Sequence, residues 1–166
     1  MTLIPAEHWT QKGGGKGALG FAERLKGKPY VWGGNFPPLG PDNGTDCSGL
    51  VQWGYFHVGI ELPRVTYEQY LIRQVGMDAG PETGDLWFFA GSDPGPNGEP
   101  GHVGLYVGKG LVSPDQLRFI ETARGRDVVF NAPWTGDPHG IRYDYVTSIG
   151  EPTYKTRPAL LLPPAP

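Results

Sequence analysis

The apolar residues of this chain change their period once, and that change limits the fold. Up to about residue 74 they recur at helical spacing, and from residue 85 they come in short runs of the kind that build strands. Ala18, Phe21, Ala22 and Leu25 share one helical face, and Gly27 and Pro29 end that helix. A second helix starts at Cys47, with Leu50, Val51, Tyr55 and then Val58 at core-facing spacing and Asp46 or Thr45 as its cap. A third begins at Thr66, where Thr66-Tyr67-Glu68-Gln69 has capping-box spacing. Beyond residue 85, the stretches 85–90, 102–108, 117–122 and 127–130 read as strands, with further strands around 141–146 and 159–162. Helices first and strands second, without regular alternation, predict an α+β domain on an antiparallel sheet.

Composition supports a folded domain. The chain has 27 Gly and 18 Pro in 166 residues, a share at which disorder has to be considered. Five Trp, eight Tyr and a net charge of only −3 supply the apolar mass for a core. Without a basic excess, nucleic acid is an unsuitable partner, and no apolar run is long enough to span a membrane. The stretch QKGGGKG marks residues 1–17 as a flexible N-terminal segment, ahead of a domain over 18–162. Residues 163–166 read as a Pro-rich tail or the start of a linker. The first fifteen residues lack the basic and apolar regions of a secretory signal, so action outside a cell would require another route.

The single cysteine cannot form an intramolecular disulfide or a Cys-based zinc site. Cys47 falls in the first turn of a predicted helix, where free N–H groups and the helix dipole favour a thiolate. A small buried residue opening a helix is the plain alternative. A thiol nucleophile needs a base. Of the four histidines, His8 precedes the glycine break, His57 lies ten residues along the same helix, and His139 sits in a turn-like stretch. His102 opens a strand directly after a long loop, where rigid placement and access coexist. If strands 102–108 and 117–122 form a hairpin, Glu121 stands opposite Gly104 and diagonal to His102, on the same face. Glu121 would then orient the imidazole, with Thr122 or Asn131 as the fallback and a solvated strand carboxylate as the plain alternative.

Five fragments in order carry a resemblance: GKPYVWGG (27–34), TDCSGLV (45–51), LPRVT (62–66) with Gln69, GDL (84–86) and HVGLYVG (102–108). Together they resemble the NlpC-type (NlpC/p-sixty) cell-wall cysteine peptidases, a papain-like α+β fold with N-terminal helices packed on an antiparallel sheet. The resemblance implies Cys47 as nucleophile and His102 as general base. It puts a third polar residue, often His, Asn or Gln, on the next strand, a place held here by Glu121. It also implies that Tyr30, Asp46 and Ser48 hold the free amino end of the substrate, although Asp46 is equally suited to capping the helix. The implied activity is cleavage of the peptidoglycan stem peptide at the D-glutamyl–diaminopimelate bond, without metal or organic cofactor. The alternatives are a CHAP-like amidase cutting between sugar and peptide, and a silent wall-binding or tail-structural domain. The expected setting is the cell wall, reached as a phage endolysin or tail enzyme or as a host enzyme trimmed of its signal, with the Pro-rich end suited to joining a wall-binding or tail module.

Overall fold

The computed structural model describes residues 14–34, 44–72, 74–76, 80–134 and 136–158. Helix α1 (Gly14–Ala22) runs into a 3-10 turn, Glu23–Leu25. Helices α2 (Cys47–Phe56) and α3 (Thr66–Leu71) follow. The strands are β1 (Gln74–Val75), β2 (Leu86–Phe89), β3 (His102–Val112), β4 (Phe119–Glu121), β5 (Arg126–Asn131) and β6 (Arg142–Tyr145). Helix α4 (Val146–Ile149) and strand β7 (Tyr154–Thr156) complete the described elements. All the strand pairings are antiparallel, in the order β1-β7-β2-β3-β5-β6, with β4 attached to β3. This is the α+β architecture expected from the change of period.

The period-2 alternation of the strands sorts the core. Leu86, Phe88, Val103, Leu105, Val128 and Phe130 face α1 and α2 and pack on Ala18, Leu50 and Val51. Trp87, Phe89, Tyr106 and Val129 face the other way and are covered by Val146 of α4. With both faces covered, all four residues of β2 are buried. Each large side chain removed from water contributes roughly 1.5–3 kcal/mol. The close approach of α1 to α2 depends on Gly54, where a Cβ would lie 2.6 Å from the Ala18 carbonyl oxygen. Among the described residues no helix is long and apolar enough to cross a membrane.

Several expectations are corrected. Residues 14–17, assigned to the flexible segment, are helical, and Gly15 packs so tightly on the Thr83 carbonyl that a Cβ would lie 2.3 Å from it. Residues 1–13 and the strand expected at 159–162 lie outside the described residues, as does the 163–166 tail. Strands β1 and β7, two and three residues long, are too short to show a period in sequence. The N-cap of α3 is Val65 rather than Thr66, so no capping box forms. Gln69 instead donates to the Ser48 and Pro63 carbonyls, tying α3 to the start of α2.

The largest correction concerns Glu121. The β3–β4 hairpin closes late, because β3 runs on to Val112, and Glu121 pairs with Gly110 rather than Gly104. Gly110 has Glu121 on one side and Arg126 of β5 on the other. At the His102 end of β3, the edge that β4 shares is already occupied by β2, through Phe89. Eight residues of extended chain separate Gly110 from His102, about 26 Å at strand rise. Glu121 is exposed.

Candidate active site

Asp46 ends the extended segment before α2, and its Oδ1 accepts from the Gly49 N–H at 2.9 Å. This cap fixes Cys47 as the first helical residue, beside the N–H groups that have no acceptor within the helix. His102 is carried by the first residue of β3, held in register by Phe89 of β2. The fold brings the two side chains to one cleft, near enough for each to act on the charge of the other, with Cys47 6% and His102 9% exposed. The Thr66 hydroxyl at the start of α3 lies 3.5 Å from Cys47 Sγ.

Burial pushes the Cys47 thiol up, but the hydrogen bond and charge of His102, helped by Thr66, bring it below its ordinary value overall. Burial also disfavours the charged imidazole. The hydrogen bond and charge of Cys47, then Asn131 and Asp144, more than offset this and hold His102 above its ordinary value. The two shifts oppose one another in sign and have a common cause, the attraction between a thiolate and the imidazolium beside it. Such a pair provides a nucleophile near neutral pH without any further base.

Asn131, the fallback in the sequence reading, occupies the place expected for Glu121. One residue beyond the Leu105–Phe130 pair, it stands opposite Gly104, where a Cβ would come 3.2 Å from its own. It is therefore diagonal to His102 on the same face, and its Oδ1 lies 2.9 Å from His102 Nε2. Gly104 leaves the space that this diagonal contact needs. Thr122 instead accepts from the Arg124 N–H in an exposed turn.

Asp46 does more than cap. Its Oδ2 accepts from the Gly33 N–H at 3.0 Å, and Arg64 Nη1 donates to its Oδ1 at 2.8 Å. The same Arg64 nitrogen reaches Ser48 Oγ at 3.0 Å, and Nη2 binds the Gly34 carbonyl at 2.8 Å. Arg64 thus fastens the Tyr30–Gly34 segment to the start of α2. Tyr30 is half-buried in the cleft wall. Burial first, then the charges of Cys47, Asp46 and Asp93, push its phenol well up, so it remains a neutral donor. Tyr30, Asp46, Ser48, Cys47 and His102 all line one cleft of about 830 Å³. Loop 91–96 forms one wall, and the exposed Trp32 and Trp134 stand at its edges.

Arg64, Thr66 and Asp144 were not singled out as site residues from sequence. Arg64 lies between helices, where no period signals which way a side chain points, and Thr66 opens α3, where a hydroxyl reads as a cap. Asp144 offered one cue, a carboxylate in a short strand between two tyrosines, where sheets are usually poor in Asp. Among the described residues no cluster of His, Cys, Asp and Glu is arranged to hold a metal ion.

Residues 27–138 match the NlpC/P60 family. The bifunctional muramidase/DL-endopeptidase CwlT of Bacillus subtilis (strain 168) is 40% identical over 102 residues, which is 57% of this chain and 29% of that protein. The murein DD-endopeptidase MepH of Escherichia coli (strain K12) is 40% identical over 105 residues, 59% of this chain and 32% of that protein. The matched stretch thus spans about a third of these relatives' length. Among solved structures, the peptidoglycan hydrolase RipB of Mycobacterium tuberculosis superposes with a TM-score of 0.63 at 29% identity, covering 93% of this chain and 68% of that one.

Proposed function

The chain belongs to the NlpC/P60 family, and we propose that it is a cysteine endopeptidase cutting the peptidoglycan stem peptide at the D-glutamyl–diaminopimelate bond. The observation that carries this reading is that Cys47 and His102 line one cleft, with Asn131 hydrogen-bonded to the far side of the imidazole. The DL class of the bond draws support from the likeness to CwlT, and cell-wall action from all three relatives.

In this mechanism the Cys47 thiolate attacks the scissile carbonyl. The charge that develops on the carbonyl oxygen falls beside the first N–H groups of α2, at the positive end of the helix. His102, protonated by the thiol, passes that proton to the leaving amine, and an acyl-enzyme forms. The same imidazole then takes a proton from water, which hydrolyses the thioester and restores the thiol. Asn131 keeps the ring in the plane of attack. Tyr30, Asp46 and Ser48 receive the free amino end of the stem peptide. Asp46 Oδ2, occupied by the Gly33 N–H, keeps room for a second donor such as an ammonium.

The test is digestion of purified peptidoglycan, with products identified by mass spectrometry. Cleavage at the proposed bond exposes a diaminopimelate amine and a D-glutamate carboxyl. New termini at the cross-link would instead assign a DD activity, and an exposed L-alanine amine on intact stems an amidase. Folded Cys47→Ala protein that still releases fragments would sink the cysteine mechanism.

A further inference from the structure

His102 and Asn131 rest on a buried charge beyond them. Asp144 on β6 is 4% exposed, and its Oδ2 accepts from Asn131 Nδ2 at 2.9 Å. The same Asn131 nitrogen lies 3.4 Å from the Arg142 carbonyl oxygen. Arg142 Nε holds both oxygens of Asp144 at 3.0 Å, and its Nη1 pairs with Asp137. Gln116 Nε2, from the turn before β4, approaches Asp144 Oδ1 at 3.4 Å.

An amide looks nearly the same from both ends, so something must decide which end faces the imidazole. Here Asp144 and the Arg142 carbonyl both accept, so the Asn131 NH2 must point towards them. Turned over, the amide would set its oxygen against the Asp144 carboxylate. The Asn131 oxygen is therefore directed at His102 Nε2, which must carry the proton. That leaves Nδ1 as the ring nitrogen available to Cys47. A buried carboxylate is costly, and this one is placed where its charge acts on the reactive pair.

We propose that Asp144 is a positioning residue: through Asn131 it selects the His102 tautomer with the proton on Nε2, and its charge favours the imidazolium. This rests on the Cys47–His102 reading above. The charged and titratable groups around the pair are Cys47 on α2, Asp46 and Arg64 behind it, Tyr30 and Asp93 on the cleft wall, and Asp144, Arg142 and Asp137 on the β6 side, with the half-exposed His139 beside Asp137. On the β2 side the neighbour is the Phe89 ring. On the β6 side two carboxylates share one guanidinium, so the net field there is negative. Removing the Asp144 charge therefore lowers the proton affinity of His102 and weakens the thiolate paired with it.

Two measurements test the proposal on the intact chain. The first is the pH dependence of Cys47 alkylation by iodoacetamide in wild type and Asp144→Asn. Wild type should show thiolate reactivity below the ordinary thiol range, and the variant's midpoint should rise by about one pH unit. Its kcat/KM should fall about tenfold with KM unchanged, and the substitution should add little in an Asn131→Ala background. An ordinary thiol midpoint in wild type would refute the Cys47–His102 pair itself. A depressed midpoint that Asp144→Asn leaves in place would refute the role of Asp144 alone. The second measurement does not require Asp144→Asn to fold. In Cys47→Ala, with His102 neutral, nitrogen NMR should find the proton on Nε2, and a proton on Nδ1 overturns the proposal.

Discussion

Exchanging the orienting group separates the two positions on which sequence and structure differ. In Asn131→Ala, His102 Nε2 and Asp144 Oδ2 both lose a partner they meet at 2.9 Å, in a place where the residue removed is 0% exposed. His102 Nε2 is left without a partner while Asp144 keeps Arg142, so stability should fall by about 1–3 kcal/mol. In a domain of this size that is a drop of about 2–12 °C in Tm. The bond to the imidazolium is charge-assisted and contributes about 1.5–3 kcal/mol. Losing it in the transition state should lower kcat/KM by about 10- to 150-fold at temperatures where the variant stays folded. Glu121→Ala removes an exposed carboxylate about 26 Å along β3 from His102. It should change stability by no more than about 0.5 kcal/mol and leave kcat/KM within about twofold. Release of soluble fragments from purified peptidoglycan, read beside thermal unfolding, measures both quantities. A Glu121→Ala enzyme with unchanged Tm and a tenfold loss, beside an active Asn131→Ala enzyme, would refute the register argument.

Other perturbations probe neighbouring parts of the site. Thr66→Val keeps the shape of the side chain but removes the hydroxyl 3.5 Å from Cys47 Sγ. Thiolate alkylation near neutral pH should slow by about three- to tenfold, about 1 kcal/mol, with Tm nearly unchanged. Arg64→Met leaves Asp46 without its cation beside Cys47, so the alkylation midpoint should move to higher pH and KM should rise. The pH profile of kcat/KM in wild type should be a bell. Its acid limb marks the thiol that His102 holds down against burial, and its alkaline limb the imidazolium that Cys47 holds up. Activity thus appears as pH rises past the lowered thiol value and disappears past the raised imidazole value, and an acid limb at the ordinary thiol range would contradict the ion pair. Gly54→Ala forces a methyl to within 2.6 Å of the Ala18 carbonyl oxygen and should cost about 1–3 kcal/mol in chemical denaturation, with kcat/KM kept in the folded protein.

The helices that position Cys47 were legible because local chemistry specifies them. Asp46 is a good cap in any context, and the helical spacing of Leu50, Val51 and Tyr55 marks α2 as a core helix, in which every residue from Cys47 to Tyr55 is buried. His102 was legible for a related reason, since a strand that starts at the end of a long loop presents its first side chain at a sheet end. The third residue was not, because its identity depends on register, and register belongs to pairs of strands rather than to either one. The rule applied to Glu121 was sound: a residue opposite Gly104 and diagonal to His102 does orient the ring, and Asn131 stands there. What failed was the assumption that the next strand in sequence is the neighbour in space. The turn at 113–118 is centred three residues later than assumed, which moves the partner of Glu121 six residues along β3, so β4 only extends the far end of β3 while β5 runs back beside its start. A bulge between Tyr106 and Gly108, where Gly108 has φ 150°, shifts the β3–β5 register by one residue before it reaches Asn131. Counting back from the Gly110–Arg126 pair without that bulge would place Ala132, not Asn131, opposite Gly104. A one-residue irregularity on β3 thus decides which side chain meets the imidazole, and the site's third member is encoded as much by Gly108 as by Asn131 itself.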